Sequence, residues 1–244
     1  MIEAQYDWTL VLVSYAIAVF GSYTGLNLAI RIPKAKPGRD LMMWLGMAAV
    51  AIGGAIWSMH YIGMMAVDMQ MPVSYDLGLT IVSMLLAVIF VGIGLFIVGR
   101  GASSTVKLLV GGAITGMGVA AMHYTGMASM NMPATVSYDT VLFTLSLIIA
   151  VVAAIAALWL AFNLRGSAQR IGSAFVMGLA VCGMHYTGMA AMKMTATTPM
   201  AEMAASGGSS YGSSITIFVV TAALMGLLLF IASRNAPKTK KLVF

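Results

Sequence analysis

The chain has 244 residues, of which 61% are hydrophobic and only 8% are charged, and its mean hydropathy is +0.96. A soluble domain carries about 25% charged residues because its surface faces water, so this composition excludes an ordinary soluble protein. The single cysteine, Cys182, excludes a disulfide within the chain.

Seven apolar stretches are long enough to cross the ~30 Å hydrocarbon layer of a bilayer. Each is predicted to be an α-helix, because an unpaired backbone is costly in lipid. In chain order the helices are predicted near 8–30, 41–65, 77–99, 106–129, 139–163, 170–192 and 213–233. The first is not a cleavable signal, since acidic Glu3 and Asp7 stand where a basic segment would be. The sequence therefore predicts an all-α membrane protein with seven transmembrane helices.

The basic residues lie almost entirely on one side of the predicted membrane. Of the 13 Lys and Arg, only Lys193 falls on the side that holds most of the acidic residues. The positive-inside rule then predicts an outer N-terminus and a cytoplasmic C-terminus, as expected in an inner-membrane-type protein. This topology explains the net charge of +6, so no nucleic-acid partner is expected.

A Met-His-Tyr-x-Gly-Met motif occurs three times, over 59–64, 122–127 and 184–189. Its histidines, His60, His123 and His185, are the only three in the chain. Each follows a glycine by seven residues and precedes a methionine by nine; these are Gly53, Gly116, Gly178, Met69, Met132 and Met194. Repeats that span two helices enter the membrane in the same direction and are related by an axis along its normal. We expect a membrane domain over 1–234, with repeats near 41–100, 106–164 and 170–233, and a basic cytoplasmic tail over 235–244.

Three parallel repeats predict a pseudo-three-fold arrangement with one extra helix. Helices 2, 4 and 6 are expected to form an inner ring, with the motifs at one depth near the outer face. Either helices 1, 3 and 5 or helices 3, 5 and 7 form the outer ring. At 100° per residue, positions −7, 0 and +4 relative to each histidine share one face. Small residues at +3, Gly63, Gly126 and Gly188, allow helices to approach closely in lipid.

Ionisable side chains inside a membrane are costly and indicate a functional site. Three imidazoles around an axis suit a metal ion with one open position, and thioethers select soft copper(I). Of the 23 methionines, 15 fall within 59–71, 122–132 and 184–203, which favours copper. Core packing is the alternative for any single methionine. Anchoring at the membrane–water boundary is the alternative for Tyr61, Tyr124 and Tyr186.

The triplicated motif resembles the MHYT integral-membrane sensor domain of bacteria over essentially the whole chain, departing only at Ile62, where the other copies have Thr. The resemblance implies a non-enzymatic input domain that binds copper, responds to O₂, CO or NO, and precedes a cytoplasmic output domain such as a cyclic-di-GMP enzyme. It implies metal ligands from the three histidines and from Met59, Met64, Met122, Met127, Met184 and Met189. The oligomeric state stays open, a homodimer included.

Two other functions remain open. Three histidines on zinc can activate water for hydrolysis, although no carboxylate lies within a helix centre to act as a base. Copper uptake or storage would need ligands at several depths, whereas the motifs cluster at one end. Cys182 is absent from the other copies and is expected to be structural. Asp68, Asp76 and Asp139 are expected to be solvated loop charges.

Overall fold

In a computed structural model, the chain is described over residues 5–101, 104–163, 166–197 and 211–234. The helices are α1 (Trp8–Ala29), α2 (Arg39–Met65), α3 (Leu77–Gly99), α4 (Thr105–Ala128), α5 (Thr140–Asn163), α6 (Ser167–Ala191) and α7 (Tyr211–Arg234). A short 3₁₀ helix, Ile32–Lys34, follows α1. All seven helices lie where the sequence predicts them. The predictions for Glu3 and the basic tail lie outside the described residues.

Six of the helices, α1 to α6, are long and apolar enough to cross a membrane. The corresponding apolar part of α7 is shorter, over Val219–Ser233. The protein is therefore helical and suited to multiple membrane crossings, as its composition predicts. Whether α7 completes a seventh crossing stays a prediction.

The helix contacts decide between the two predicted outer rings. Helix α2 contacts α4 and α6. Around them, α1 packs between α2 and α6, α3 between α2 and α4, and α5 between α4 and α6. Helix α7 packs only on α1 and α2 among the elements with substantial contacts in the described part of the chain. The outer helices are therefore α1, α3 and α5, and α7 is the extra helix.

Three short antiparallel ribbons close the end of the bundle that carries the motifs. The paired strands are β1 (Gln5–Tyr6) with β2 (Val67–Asp68), β3 (Ser74–Tyr75) with β4 (Met130–Asn131), and β5 (Ala134–Tyr138) with β6 (Met192–Ala196). Each ribbon joins the segment before an outer helix to the segment after the next inner helix. The all-α prediction omits these strands, which pair backbone groups that the helices leave free.

Aspartates begin all three outer helices. The carboxylates of Asp7, Asp76 and Asp139 accept hydrogen bonds from the backbone N–H groups of Thr9, Leu79 and Val141, at 2.8, 2.8 and 3.0 Å. They are helix N-caps, a structural role that the expectation of solvated charges did not include, while Asp76 remains exposed as expected. Lys193 also donates to Asp139 at 2.9 Å, and this bond is the main cause that holds the pKa of Asp139 below its ordinary value.

The glycines at position −7 lie where an inner helix touches an outer one. A Cβ added at Gly53 would lie 2.8 Å from Val88 Cα on α3. One added at Gly116 would lie 2.5 Å from Val151 Cα on α5, and one at Gly178 would lie 2.7 Å from a Val19 methyl on α1. Small residues thus bring the two rings into close contact, as is common between helices in lipid.

Replacing Gly53 with Ala should destabilise the protein by about 1–3 kcal/mol, because the new methyl meets the α3 backbone and cannot be accommodated without moving a helix. Thermal unfolding in detergent measures the effect. Gly54→Ala is the matched control, since nothing lies within 4 Å of a Cβ added there. Equal unfolding temperatures for the two variants would contradict the close contact between α2 and α3.

Candidate metal centre

The three histidines meet at the centre of the inner ring. His60 on α2, His123 on α4 and His185 on α6 are all completely buried. Their Nδ1 atoms face one another, at 3.0 Å between His60 and His185, 3.0 Å between His60 and His123, and 3.4 Å between His123 and His185. The repeat spacing therefore brings three identical donor atoms to one point.

Three Nδ1 atoms cannot satisfy one another by hydrogen bonding. In a neutral imidazole, Nδ1 either carries a proton or presents a lone pair. Among three such atoms at least two are of the same kind, so at least one contact joins two donors or two acceptors. A buried polar atom without a complement costs about 1–3 kcal/mol. A cation removes this conflict because it accepts all three lone pairs at once.

The size of the nitrogen triangle fits a first-row metal ion. Bonds of about 2.0–2.1 Å from metal to imidazole place the nitrogens roughly 3.3–3.6 Å apart in tetrahedral or trigonal geometry. The observed separations of 3.0, 3.0 and 3.4 Å are close to that range. The three histidines form the metal-competent group found in the described part of the chain, and Cys182 is not part of it.

The Nε2 atoms point outward, each towards a motif glycine on a neighbouring inner helix. A Cβ added at Gly126 would lie 2.2 Å from His60 Nε2, one at Gly188 2.2 Å from His123 Nε2, and one at Gly63 2.3 Å from His185 Nε2. None of the three Nε2 atoms has a hydrogen-bond partner among the described residues. The glycines predicted to permit close helix approach thus make room for the imidazoles themselves.

The motif tyrosines connect the inner ring to the outer ring. Each ring packs edge-on against the preceding histidine, with centroids 4.7–5.2 Å apart. The hydroxyls of Tyr61, Tyr124 and Tyr186 bond Ser83 on α3, Ser146 on α5 and Ser14 on α1, at 3.4, 2.6 and 3.0 Å. Tyr61 also bonds Ser129 at 3.1 Å. These tyrosines link helices rather than serving simply as interfacial anchors.

The motif methionines divide into two sets. Those at +4, Met64, Met127 and Met189, lie in one buried cluster beneath the ribbons. The same cluster contains Met69, Met130 and Met194, with Met132 packed against it. The methionines at −1 are buried in two other apolar clusters, Met122 and Met184 in one and Met59 in the other. At 100° per residue, a side chain at +4 lies 40° from the histidine, whereas one at −1 lies 100° away.

The sequence matches the MHYT family, described as a bacterial signalling protein N terminal repeat, over residues 53–111, 116–174 and 178–243. These matches cover well over half of the chain. The chain belongs to the MHYT family. No solved structure matches it.

This MHYT domain is similar to parts of longer signalling proteins. It is 40% identical over 240 residues to the bifunctional diguanylate cyclase/cyclic di-GMP phosphodiesterase MucR of Pseudomonas aeruginosa. That match covers 95% of this chain and 34% of MucR. It is 35% identical to signaling protein YkoW of Bacillus subtilis, over 78% of this chain and 24% of that protein. It is 34% identical to cyclic di-GMP phosphodiesterase NbdA of P. aeruginosa, over 85% of this chain and 27% of that protein. The chain therefore spans a third or less of these relatives and corresponds to a sensory membrane domain, not to an enzyme domain.

Three serines of the MHYT domain take part in the site but were not predicted from the sequence. Ser14, Ser83 and Ser146 receive the tyrosine bonds, and each donates to a carbonyl three residues earlier in its own helix. A signal was present, because each serine follows a Tyr-Asp pair with its aspartate seven residues earlier: Tyr6-Asp7, Tyr75-Asp76 and Tyr138-Asp139. The repeat thus extends to the start of the chain.

Replacing Gly126 with Ala should displace the His60 imidazole, because the added methyl would overlap Nε2. Nitrogen-15 NMR of the histidine side chains should show altered signals for His60. Gly183→Ala is the control, since a Cβ there meets nothing within 4 Å although it lies two residues before His185. Unchanged histidine spectra in Gly126→Ala would show that the imidazole does not occupy this space.

Proposed function

We propose that this MHYT domain holds copper on the Nδ1 atoms of His60, His123 and His185 and senses a diatomic gas, O₂, CO or NO. The observation that carries the proposal is the buried nitrogen triangle. Its three nitrogens cannot all satisfy one another by hydrogen bonding, but all three can bind one cation. Its longest separation lies within the roughly 3.3–3.6 Å that such an ion requires, at 3.4 Å. The other two, at 3.0 Å, lie about 0.3 Å below that range, so the rings move apart slightly when the ion binds. When bound, copper supplies a soft, redox-active centre with a coordination position for the gas.

Methionine is the feature that favours copper over zinc. Thioether sulfur is a soft ligand that selects copper(I). Of the two methionine sets, the one at +4 is the better source of a further ligand, because Met64, Met127 and Met189 share the histidine face and lie together in one cluster. The set at −1 then has a packing role.

We infer that the MHYT domain has pseudo-three-fold symmetry about an axis along the membrane normal. The helix pairs α1–α2, α3–α4 and α5–α6 support this inference. Every pair has an aspartate cap on its outer helix, a ribbon between its ends, and a motif glycine against a histidine of another pair. Helix α7 has no counterpart in this arrangement.

The signal is proposed to reach a cytoplasmic output domain in the full-length protein. The relatives named as cyclic di-GMP enzymes support an output of that class. The positive-inside rule supports a cytoplasmic position for the C-terminal end of α7 in a bacterial inner membrane, and an outer position for the ribbons. The domain would then receive its stimulus in the membrane and pass it inward through α7.

Besides its apolar packing, α7 is joined to the rest of the bundle by two of the polar contacts found in the described part of the chain. Ser58 Oγ lies 2.7 Å from Thr221 Oγ1 in a buried contact between α2 and α7. At the other end, the Arg31 guanidinium donates to the Ala232 carbonyl and lies 4.6 Å from the Trp44 ring centroid. Because Ser58 is two residues before His60, a shift of α2 on gas binding is transmitted directly to α7. Binding moves such an equilibrium only by its differential affinity for the two states.

Purified wild-type domain should contain about one copper ion per chain, measured by mass spectrometry after reconstitution with copper(I). His123→Ala should lose it. Met127→Leu should lower copper(I) affinity at least tenfold through loss of a soft ligand, while Met122→Leu, the matched control, leaves it unchanged.

A wild-type protein that binds no metal under these conditions would overturn the copper proposal. Preference for zinc over copper(I) would instead support the hydrolytic alternative. Equal losses in both methionine variants would contradict the division of the methionines by helix face.

Replacing Thr221 with Val keeps the side-chain shape and removes the bond to Ser58. Spin labels on exposed Val152 of α5 and Leu227 of α7 should report a distance change when CO is added to the copper-loaded wild-type domain. In Thr221→Val the change should shrink while copper content stays the same. Thr187→Val is a control, because among the described residues Thr187 bonds within its own helix, to the Gly183 carbonyl. An undiminished distance change in Thr221→Val would contradict this route.

A further inference from the structure

An apolar cavity of about 60 Å³ lies inside the bundle, on the side of the histidines away from the ribbons. Its lining includes Met184, the residue before His185. It also includes the residues four positions before each histidine, Ile56, Val119 and Val181. Four residues of helix rise about 6 Å, so the cavity begins roughly one turn below the nitrogen triangle.

The lining determines what the cavity can hold. Nearly all of it is aliphatic, and of the two hydroxyl residues that contribute, Ser22 and Thr115, Thr115 already donates to the Phe90 carbonyl at 3.4 Å. Apolar cavities of this kind stay dry and accept apolar guests. A water-sized molecule needs only about 10–15 Å³, whereas a cavity of ~150 Å³ takes benzene. The fitting occupant is therefore an apolar molecule of very few atoms.

Small side chains form the wall of the cavity on its bilayer side. Ala153 and Ala157 on α5, and Ala180 on α6, line it and are only half-buried. Beside them, Val152 and Leu179 are 60% and 66% exposed, as expected for side chains that face lipid. The wall of the cavity between α5 and α6 is therefore its side nearest to hydrocarbon, where apolar solutes are more soluble than in water.

We propose that this cavity binds a small apolar gas molecule taken from the bilayer. The cavity then delivers the gas to the histidines from their side away from the ribbons. The delivery step rests on the proposed function, because it needs a metal at the histidines. Binding in the cavity does not, since the lining residues provide the site by themselves. Polar or ionic stimuli are excluded from this route by the same lining.

Xenon is the probe that tests the site without any metal. Wild-type protein in lipid nanodiscs should show saturable xenon binding by xenon-129 NMR. Ala154→Leu, at a buried lining position, should weaken that binding at least tenfold by filling the cavity. Ala156→Leu is the matched control on the same helix, because Ala156 is exposed and is not part of the lining. Absence of saturable binding in the wild type, or unchanged binding in Ala154→Leu, would overturn the proposal.

Folding of the filled variant is checked by thermal unfolding and by its histidine NMR spectrum. If Ala154→Leu fails to fold, Ala157→Leu replaces it, since a half-buried position tolerates the larger side chain better. Loss of xenon binding in a folded variant supports the site, and its retention in folded Ala157→Leu contradicts it.

Delivery is tested by the rate of CO rebinding to the copper-loaded domain after flash photolysis. Ala154→Leu should slow the bimolecular rate at least fivefold with copper content unchanged, while Ala156→Leu behaves as the wild type. An unchanged rate would overturn delivery through the cavity. Xenon binding without copper binding would leave the cavity site standing and remove the proposed function; copper binding without xenon binding would do the reverse.

Discussion

Three imidazole nitrogens that face one another in a membrane interior form an arrangement that is unfavourable by itself. Since each Nδ1 either donates or accepts, no choice of tautomers satisfies all three contacts at 3.0–3.4 Å. The surrounding structure has to hold the rings in place against this conflict. The rest of the MHYT domain is best understood as the scaffold that does so.

The scaffold acts at two levels along each inner helix. Near the histidines, a glycine admits the imidazole of a neighbouring helix, and a tyrosine hydroxyl fixes the inner helix to a serine on an outer helix. Two turns lower, a second glycine lets the same two helices touch through their backbones. Both levels rely on close approach and hydrogen bonding, which stabilise helix association in lipid, where the hydrophobic effect contributes little.

Much of this arrangement was predictable from the sequence, and the failures have physical reasons. Hydropathy located the helices because lipid demands about 20 apolar residues for each crossing. The spacing of the histidines predicted their meeting, because equal offsets in parallel repeats give equal depth. Four of the six ribbon strands, such as Gln5–Tyr6, were missed because they have only two residues, too few to show an alternating pattern. The five-residue strand Ala134–Tyr138 does alternate and was overlooked.

The sequence did not decide between the two possible outer rings. The Tyr-Asp pair at Tyr6 and Asp7 was not recognised as part of the repeat, because it lacks the Met-Pro pair that precedes Tyr-Asp in the later copies. The helical period already places +4 on the histidine face and −1 off it. The two methionine sets were nevertheless not separated, because the family resemblance implies ligands from both. Which neighbour that face meets depends on the rotation of each helix, and the serine partners depend on the same rotation. Composition and spacing give depth along the membrane normal and relative angles within one helix, whereas the direction in which a face points requires the packed structure.

The distribution of the histidines among α2, α4 and α6 has a consequence for how the protein is made. During synthesis the first two imidazoles enter the membrane well before the third, so the nitrogen triangle does not exist until α6 has been inserted. Strand β5 likewise has no partner until β6, which follows α6, has been made. Assembly of the site is therefore a late event in biogenesis, and a chain that stalls before α6 carries only two of the three histidines and no centre.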